Sequence, residues 1–250
     1  MTRVFDDNAR QSLASCVPLF GSSVPNEAKP HELDIQQVAA KTLRPYIASG
    51  HYSGTFPDST RESFAGYYGL TLSCGVLFGM GANVAAFTAV IPEIQDGEYR
   101  ELTRLWVDDD APRNTASRLV AGAIRSLPPE VRLVVSFADT AQGHAGYIYQ
   151  ALNFHYLGMT QPGTSLRDED GDPVHPRLLG IYRMRRPELA GLSGPEIAHR
   201  LGWTFVAGSA KHRYVLAVGP KKARRRMDKR LIELEQPYPK GLTQEGGGAA

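Results

Sequence analysis

Cysteine is scarce in this sequence. Only Cys16 and Cys74 occur among the 250 residues, and neither belongs to a CxxC pair. Two thiols are too few for a disulfide framework, and their spacing does not match the usual pattern of a zinc site. We therefore expect the protein to work in a reducing compartment, the cytoplasm.

Long apolar segments are missing as well. No run approaches the roughly 18 apolar residues that a transmembrane helix needs, and the N-terminus MTRVFDDNAR lacks the hydrophobic core of a signal peptide. We therefore expect no association with a membrane.

Acidic residues are nearly absent from one basic stretch near the C-terminus. The chain has 28 Lys and Arg, 26 Asp and Glu and a net charge of +2, but residues 211–230 hold nine of these cations against one acid, Asp228. Such an uneven distribution indicates a surface that binds anions. Residues 1–30 and 242–250 show no apolar periodicity, and we expect them to be a mobile segment and a disordered tail.

Hydrophobic periodicity predicts the order of the secondary-structure elements. Helices are predicted over residues 34–48, from Asn114 or Thr115 to just before Pro128, and from near His144. Strands are predicted at 67–74, 84–91, 102–107, 131–137 and 154–159, with further candidates at 178–184 and 214–218. The glycines between the first two strands favour a hairpin-like connection, and residues 167–176 are expected to form an exposed excursion.

This order predicts an α/β (α+β) domain over residues 31–219, followed by a basic extension at 220–241. The core would be a mixed, mostly antiparallel sheet flanked by helices. With 42% hydrophobic residues, the chain can bury one large core, or one core and a small appendage.

The element order resembles the GNAT acetyltransferase fold, and several segments narrow the resemblance. The segments HYSGTFPDS at 51–59, ELTRLWV at 101–107 and SFADTAQGHAGYIYQALNF at 136–154 resemble the Mom family of phage DNA-modification proteins, over about residues 34–241. That resemblance implies an enzyme that converts the exocyclic amine of adenine in phage DNA to a methylcarbamoyl-type derivative, protecting the DNA from restriction. It implies double-stranded DNA and a small-molecule group donor as partners in a bacterial host, and leaves a homodimer open.

Four residues are candidates for catalysis. His51 and Tyr52 follow the first predicted helix; the histidine could transfer protons or end the helix as a cap, and the tyrosine could stack on a base or pack at the edge of the core. Asp139 ends an apolar strand, where it could act in catalysis or cap the next helix. Tyr149 could donate a proton to a leaving group, or be a core residue.

Five residues are candidates for binding the donor. GNAT acetyltransferases carry the pattern [Q/R]xxGxG/A before a helix, whereas residues 113–118 read RNTASR without the glycines. Asn114, Ser117 and Arg118 at this helix N-terminus could still hold an anion. Arg104 needs a partner or a ligand if its strand is buried, but could equally face solvent, and Gly143 permits a close backbone approach. Acetyl-CoA or a related donor is implied, and an iron or another metal at His51 stays open.

The basic stretch predicts contacts with nucleic acid. Met227, Leu231 and Leu234 lie on one helical stripe, so the helix could dock by this stripe and present its cations to phosphates. The candidate DNA-contacting residues are Lys211, Arg213, Lys221, Lys222, Arg224, Arg225, Arg226, Lys229 and Arg230. The alternatives are a solvated basic surface, an ordinary acyltransferase without use for such a helix, or a non-catalytic DNA-binding protein on the same fold.

Overall fold

The computed structural model describes residues 24, 28–50, 56–57, 59–81, 85–174 and 176–239. Its strands are β1 (Asp34–Gln37), β2 (Thr60–Tyr68), β3 (Thr71–Gly79), β4 (Tyr99–Val107), β5 (Leu133–Asp139), β6 (His155–Met159), β7 (Thr164–Arg167), β8 (Pro173–Val174), β9 (Thr204–Ala207) and β10 (Lys211–Ala217). Its α-helices are α1 (Ala40–Gly50), α2 (Ala85–Thr88), α3 (Thr115–Arg125), α4 (Tyr147–Ala151), α5 (Arg177–Arg185), α6 (Gly194–Arg200) and α7 (Lys221–Leu234).

Seven strands form the central sheet, in the order β1-β2-β3-β4-β5-β10-β6. The first four pair antiparallel with their neighbours, and β4 pairs parallel with β5. Because a parallel pair needs a long crossover, α3 connects β4 to β5. The predicted mixed, mostly antiparallel sheet flanked by helices is therefore confirmed.

The described residues divide into two compact units. The first comprises residues up to Phe137 together with Gly146–Leu157 and Tyr214–Tyr238. Its core includes the side chains of Tyr99, Leu133, Val135 and Leu231. No helix within the described ranges is long and apolar enough to cross a membrane.

The second unit comprises Ala138–Ala145, Gly158–Arg213 and Pro239. It contains an antiparallel sheet in the order β8-β7-β9, together with α5 and α6. Leu166, Leu179, Leu189 and Ile197 form its own buried core. Most of this unit lies inside the range 31–219, for which the sequence predicted one domain.

The first predicted helix begins too early, since only residues 40–48 of it are helical, and two predicted strands near the N-terminus are wrong. Residues 34–37 form β1 rather than the start of a helix, because this segment pairs with β2, with Ile35 opposite Gly66. The predicted strand 67–74 contains a turn at Gly69, which has a φ of +60°. In the predicted strand 84–91, residues 85–88 form α2, where Phe87 stacks on Tyr99 at 4.1 Å between ring centroids.

The predicted strand 178–184 is also wrong, because α5 occupies it. Leu179 and Tyr182 follow helical spacing and pack on the core of the second unit.

The acidic stretch 168–172 is largely exposed, as predicted, but it connects two paired strands, β7 and β8. The strands predicted at 102–107, 131–137, 154–159 and 214–218 and the helices α3 and α7 are confirmed within a few residues.

Candidate active site and nucleic-acid interface

The parallel strands β4 and β5 separate part-way along their length. Their pairing runs from Tyr99 opposite Leu133 to Leu102 opposite Ser136. Beyond Leu102, β4 continues to Val107 and keeps its pairing with β3 as far as Cys74. The last five residues of β4, 103–107, therefore extend beyond its pairing with β5, at the end of parallel strands where α/β folds commonly bind ligands. Ser136 marks the point of separation: it is fully buried, and its Oγ lies 3.4 Å from the Leu102 carbonyl oxygen.

Helix α3, which follows β4, begins without a side-chain cap. Asn114 has a φ of +70°, and its side chain makes no capping hydrogen bond, so the predicted cap at this residue is wrong. Ser117 Oγ donates to the Asn114 carbonyl oxygen at 3.0 Å. The first turn contains no acidic residue, and Arg118 is exposed beside it. An uncapped helix N-terminus with an adjacent cation favours a negatively charged ligand.

The buried start of α3 is held to the sheet by hydroxyl groups. Thr115 Oγ1 donates to the Pro112 carbonyl oxygen at 2.7 Å and lies 2.8 Å from the Tyr68 hydroxyl. Because the threonine proton is used on Pro112, the tyrosine is the donor in the second bond. Burial raises the pKa of Tyr68, which therefore stays protonated.

Arg104 lies on the face of β4 that packs against α1. It is paired across the sheet with Leu77, whose side chain contacts Leu43 and Ile47 of α1. It is half-buried, and its NH1 donates to the Thr103 carbonyl oxygen at 2.6 Å. Arg104 is therefore neither fully buried nor fully exposed to solvent, and a role toward the donor stays a prediction.

Trp106 lies on the same face of β4 as Arg104, next to the C-terminal end of α1. A Cβ atom at Gly50 would come within 2.5 Å of the indole Nε1, so the last residue of α1 must be glycine for the helix to approach this closely. His51 and Tyr52 follow directly, and both lie outside the described residues.

The Asp139 carboxylate caps the short 3-10 helix Thr140–Gln142. Its Oδ1 accepts from the Ala141 backbone N–H at 2.9 Å and from Ser209 Oγ at 2.5 Å, and its Oδ2 lies 3.9 Å from Lys211 Nζ. The capping role that was the alternative to catalysis is therefore present. Gly143 ends the same helix with a φ of +67°, and a Cβ atom there would meet nothing within 4 Å.

Tyr149 belongs to a cluster of aromatic rings in the first unit. Its ring centroid lies 5.5 Å from that of Phe154 and 5.3 Å from that of Tyr214. Tyr156 and Tyr238 extend the cluster through Tyr214, at 5.2 and 6.4 Å. Tyr149 is thus a buried core tyrosine; whether it also acts on a leaving group stays a prediction.

The hydroxyl of Tyr214 accepts a hydrogen bond within this cluster. Gln150 Nε2 donates to it at 3.1 Å. Burial raises the pKa of Tyr214, and burial also raises the pKa of Tyr156. Sequence reasoning assigned no role to these two tyrosines.

Helix α7 has the amphipathic character that the sequence predicted. Leu231 is fully buried, and Met227 and Leu234 pack on the same core. All seven cations of the helix are exposed. Arg226 pairs with Glu93 at 3.2 Å and Arg230 with Glu233 at 2.9 Å. Lys221, Lys222, Arg224, Arg225 and Lys229 make no ion pair with any described residue.

Two predicted DNA-contacting residues lie on β10 in a different environment. Lys211 is exposed and pairs with Asp139. Arg213 is half-buried, and burial lowers the pKa of its guanidinium from its ordinary value. The cations of α7 are therefore better placed than Arg213 to reach a phosphate in solvent.

Comparisons with known proteins agree with this arrangement. The model of the Mom protein family matches residues 32–240. The chain belongs to the Mom family. It is also 31% identical over 212 residues to the methylcarbamoylase mom of Escherichia phage Mu, and the match covers 84% of each chain.

Solved structures of acetyltransferases resemble this chain at low sequence identity. A GNAT family acetyltransferase from Elizabethkingia anophelis with acetyl-CoA bound has a TM-score of 0.37 at 11% identity, covering 75% of this chain and 99% of that one. The ribosomal-protein-S18-alanine N-acetyltransferase of Escherichia coli has a TM-score of 0.41 at 10% identity, covering 75% and 95%.

The four residues predicted for catalysis do not meet in one described cavity. Tyr149 belongs to the first unit and Asp139 to the second, while His51 and Tyr52 lie outside the described residues. The first unit has a cavity of about 950 Å³, but Ile124, Val131, Asp228 and other residues at the far end of α3 and beside α7 line it. The assembly of the four residues into one site therefore stays a prediction.

Metal ligands are not clustered in the part of the chain that the structure describes, where no group of three or more His, Cys, Asp or Glu side chains could hold an ion. Asp108 accepts from the Asp110 backbone N–H at 3.0 Å, as in an ordinary turn. The iron considered at His51 has no observation in its favour.

Proposed function

We propose that this protein is a DNA-modifying transferase that converts the exocyclic amine of adenine to a methylcarbamoyl-type derivative. The observation that carries the proposal is the similarity to the phage Mu methylcarbamoylase over 84% of both chains. The exposed, largely unpaired cations of α7 support a polyanionic substrate. Modification of this kind would protect phage DNA from restriction in the host cytoplasm.

The chemistry requires that a weak nucleophile be oriented. The lone pair of the adenine amine is delocalised into the ring, so the enzyme must position the amine and accept its proton. The amine also lies inside the base stack, and in duplex DNA the base must be flipped out at a cost of a few kcal/mol. We propose His51, Tyr52, Asp139 and Tyr149 for these tasks.

The β4 edge and the start of α3 suit a phosphate-bearing donor such as acetyl-CoA or a related compound. The β4 residues beyond Leu102 have no β5 partner, and α3 begins without a side-chain cap or an acidic residue. Such a donor would supply the carbonyl carbon of the transferred group. Transfer of an acetyl group alone would give N-acetyladenine, so the additional nitrogen of a methylcarbamoyl group has to come from the donor itself or from a second, nitrogen-containing reactant. Arg104, Asn114, Ser117, Arg118 and Gly143 are the residues proposed to bind and orient it, with the helix amides holding its anionic part.

DNA would bind along α7. A helix docked by Leu231 presents its cations on a fixed scaffold, and cations that neutralise phosphates release counterions. Lys211, Arg213 and the exposed cations of α7 are proposed as contacts to the DNA backbone. Such contacts position the duplex without selecting a sequence.

Mass spectrometry of nucleosides tests this function. DNA from bacteria that express the protein should contain a new, heavier deoxyadenosine, and the product should be lost in His51→Ala and Asp139→Ala variants. Glu130→Gln, at an exposed position between α3 and β5, is a matched control that should keep the product. Unmodified deoxyadenosine beside soluble protein would contradict the proposal and favour an ordinary acyltransferase or a DNA-binding protein.

A further inference from the structure

Helix α5 of the second unit is anchored by one face only. Leu179 is buried, and the Tyr182 ring lies 5.5 Å from that of Trp203. Both side chains pack on the core that Leu189 and Ile197 share. The orientation of the helix is therefore fixed, and its last turn, from Arg183 onward, is exposed to solvent.

The exposed last turn of α5, together with the residue that follows it, is strongly basic. Residues 176–186 read PRLLGIYRMRR, with four arginines and no acid. Arg183, Arg185 and Arg186 are exposed. None of the three forms an ion pair with a described residue; Arg186 lies over the Tyr182 ring at 4.6 Å. Between them Met184 is 81% exposed.

Ordinary helix electrostatics accounts for part of this pattern. Cations in the last turn of a helix are stabilised by about 0.3–1 kcal/mol each, and a single exposed methionine is unremarkable. Three exposed guanidinium groups within four residues also repel one another. Four of the seven described acidic residues of the unit, Asp168, Glu169, Asp170 and Asp172, lie in the turn between β7 and β8. The others are Asp139, Glu188 and Glu196, and no described acid forms an ion pair with these arginines. Even with Glu188 two residues beyond Arg186, the segment keeps a net positive charge, which attracts a polyanion.

The chemistry of the side chains favours nucleic acid. Guanidinium groups match the geometry of phosphate oxygens and are more weakly hydrated than ammonium groups. An exposed methionine between them can contact the apolar edges of sugars and bases, as apolar side chains of groove-binding proteins do. A helix held by its packed face presents these groups without a large ordering cost.

We propose that α5 is a second DNA-contacting surface, in addition to α7 of the first unit. Arg183 and Arg185 contact phosphates, and Met184 contacts the sugar and base edges between them. This inference rests on the proposed function, because it assumes that DNA is the substrate. None of these residues is among those that the sequence predicts to contact DNA.

The test measures binding of the full-length protein to a short duplex oligonucleotide as a function of salt. The double variant Arg183→Gln/Arg185→Gln should lower the slope of log affinity against log salt by about 1.8, since each phosphate contact contributes about 0.9. Met184→Ala should weaken binding without changing the slope. Thermal unfolding should show that all variants remain folded.

Arg167→Gln is the matched control. Arg167 is an exposed arginine of the same unit, but it adjoins Asp168, Glu169 and Asp170 and donates to the Gly171 carbonyl oxygen at 2.7 Å. Arg167→Gln lowers the net charge of the unit by one, as each arginine replacement on α5 does. It should nevertheless leave the salt slope of DNA binding unchanged.

The outcomes separate this inference from the proposed function. If the wild-type protein binds and modifies DNA but the double variant keeps the wild-type slope, only the role of α5 is overturned. A slope that falls equally in Arg167→Gln would also overturn it, since the effect would then reflect net charge. If the wild-type protein neither binds nor modifies DNA, the proposed function fails and this inference fails with it.

Discussion

Arg100 on β4 and Glu62 on β2 form a bidentate ion pair inside the first unit. Arg100 Nε donates to Glu62 Oε2 at 2.7 Å, and NH2 donates to Oε1 at 2.8 Å. Both residues are less than 10% exposed. Arg100 NH1 also donates to the Gly97 and Tyr99 carbonyl oxygens, at 2.9 and 2.8 Å. Because β3 lies between β2 and β4, this pair connects strands that are not neighbours.

Breaking this pair from one side should be strongly destabilising. Glu62→Gln leaves a buried guanidinium without its counter-charge, and we expect a loss of about 3–5 kcal/mol in the free energy of unfolding, measured with urea. Replacing both partners with apolar residues, as in Glu62→Leu/Arg100→Met, should cost less than the single change. Arg230→Gln, which breaks the exposed pair with Glu233, is the control and should cost less than about 1 kcal/mol. A loss below about 1 kcal/mol for Glu62→Gln would contradict the prediction.

The sequence predicts the elements whose apolar pattern is long and clearly bounded. Helix α3 ends before Pro128, and β5 is a nearly continuous apolar run. The pattern fails where tertiary pairing decides. Ile35 fits the spacing of a helical stripe, but residues 34–37 form a strand because they pair with β2. Residues 178–184 are as apolar as a strand, but they pack as a helix on partners contributed by α6 and the loop before it.

The candidate site is only partly predictable for the same reason. Strand position placed Asp139 at the end of β5, but it could not identify Ser209, which lies 70 residues further along the chain and donates to its carboxylate. Tyr149 likewise packs on Tyr214, which belongs to a later strand. Contacts between distant segments depend on topology, which periodicity does not encode.

Cys74 should be unreactive in the folded protein. Burial raises the pKa of its thiol to about 12, from an ordinary value of 9.0. In a Cys16→Ser variant, a disulfide reagent at pH 8 should label Cys74 slowly in buffer and rapidly in urea, because the thiolate is the reacting form. Labelling of the folded protein at the unfolded rate would show that the thiol is accessible.

The same shift predicts a dependence of stability on pH. The folded thiol stays protonated up to about pH 12, whereas the unfolded thiol ionises near pH 9. Its contribution is therefore fully present below pH 9 and is lost as pH rises from 9 toward 12. The difference in free energy of unfolding between the Cys16→Ser protein and a Cys16→Ser/Cys74→Ala variant should shrink across this range. A difference in free energy of unfolding that stays constant from pH 9 to 12 would contradict the raised pKa of Cys74.

Tyr149→Phe separates a catalytic hydroxyl from a packing role. The change keeps the ring against Phe154 and Tyr214, so the free energy of unfolding should fall by only about 1 kcal/mol. If the hydroxyl donates a proton to the leaving group, the yield of modified deoxyadenosine should fall by about 10²–10⁴-fold. Tyr156→Phe is the matched control, because it removes a hydroxyl from another buried tyrosine of the cluster and should retain activity. Equal activity in both variants would leave Tyr149 as a core residue only.

Helix α7 allows docking and DNA binding to be tested separately. Leu231 is fully buried, so Leu231→Ala should lower the free energy of unfolding by about 2–5 kcal/mol. Lys229 is exposed and unpaired among the described residues, so Lys229→Gln should leave stability unchanged and lower the salt slope of DNA binding by about 0.9. Lys41→Gln, at an exposed position on α1, removes the same charge elsewhere and should not alter the slope. Equal changes in both lysine variants would mean that the protein attracts DNA through its net charge, and α7 would then lose its assignment as the phosphate-contacting helix.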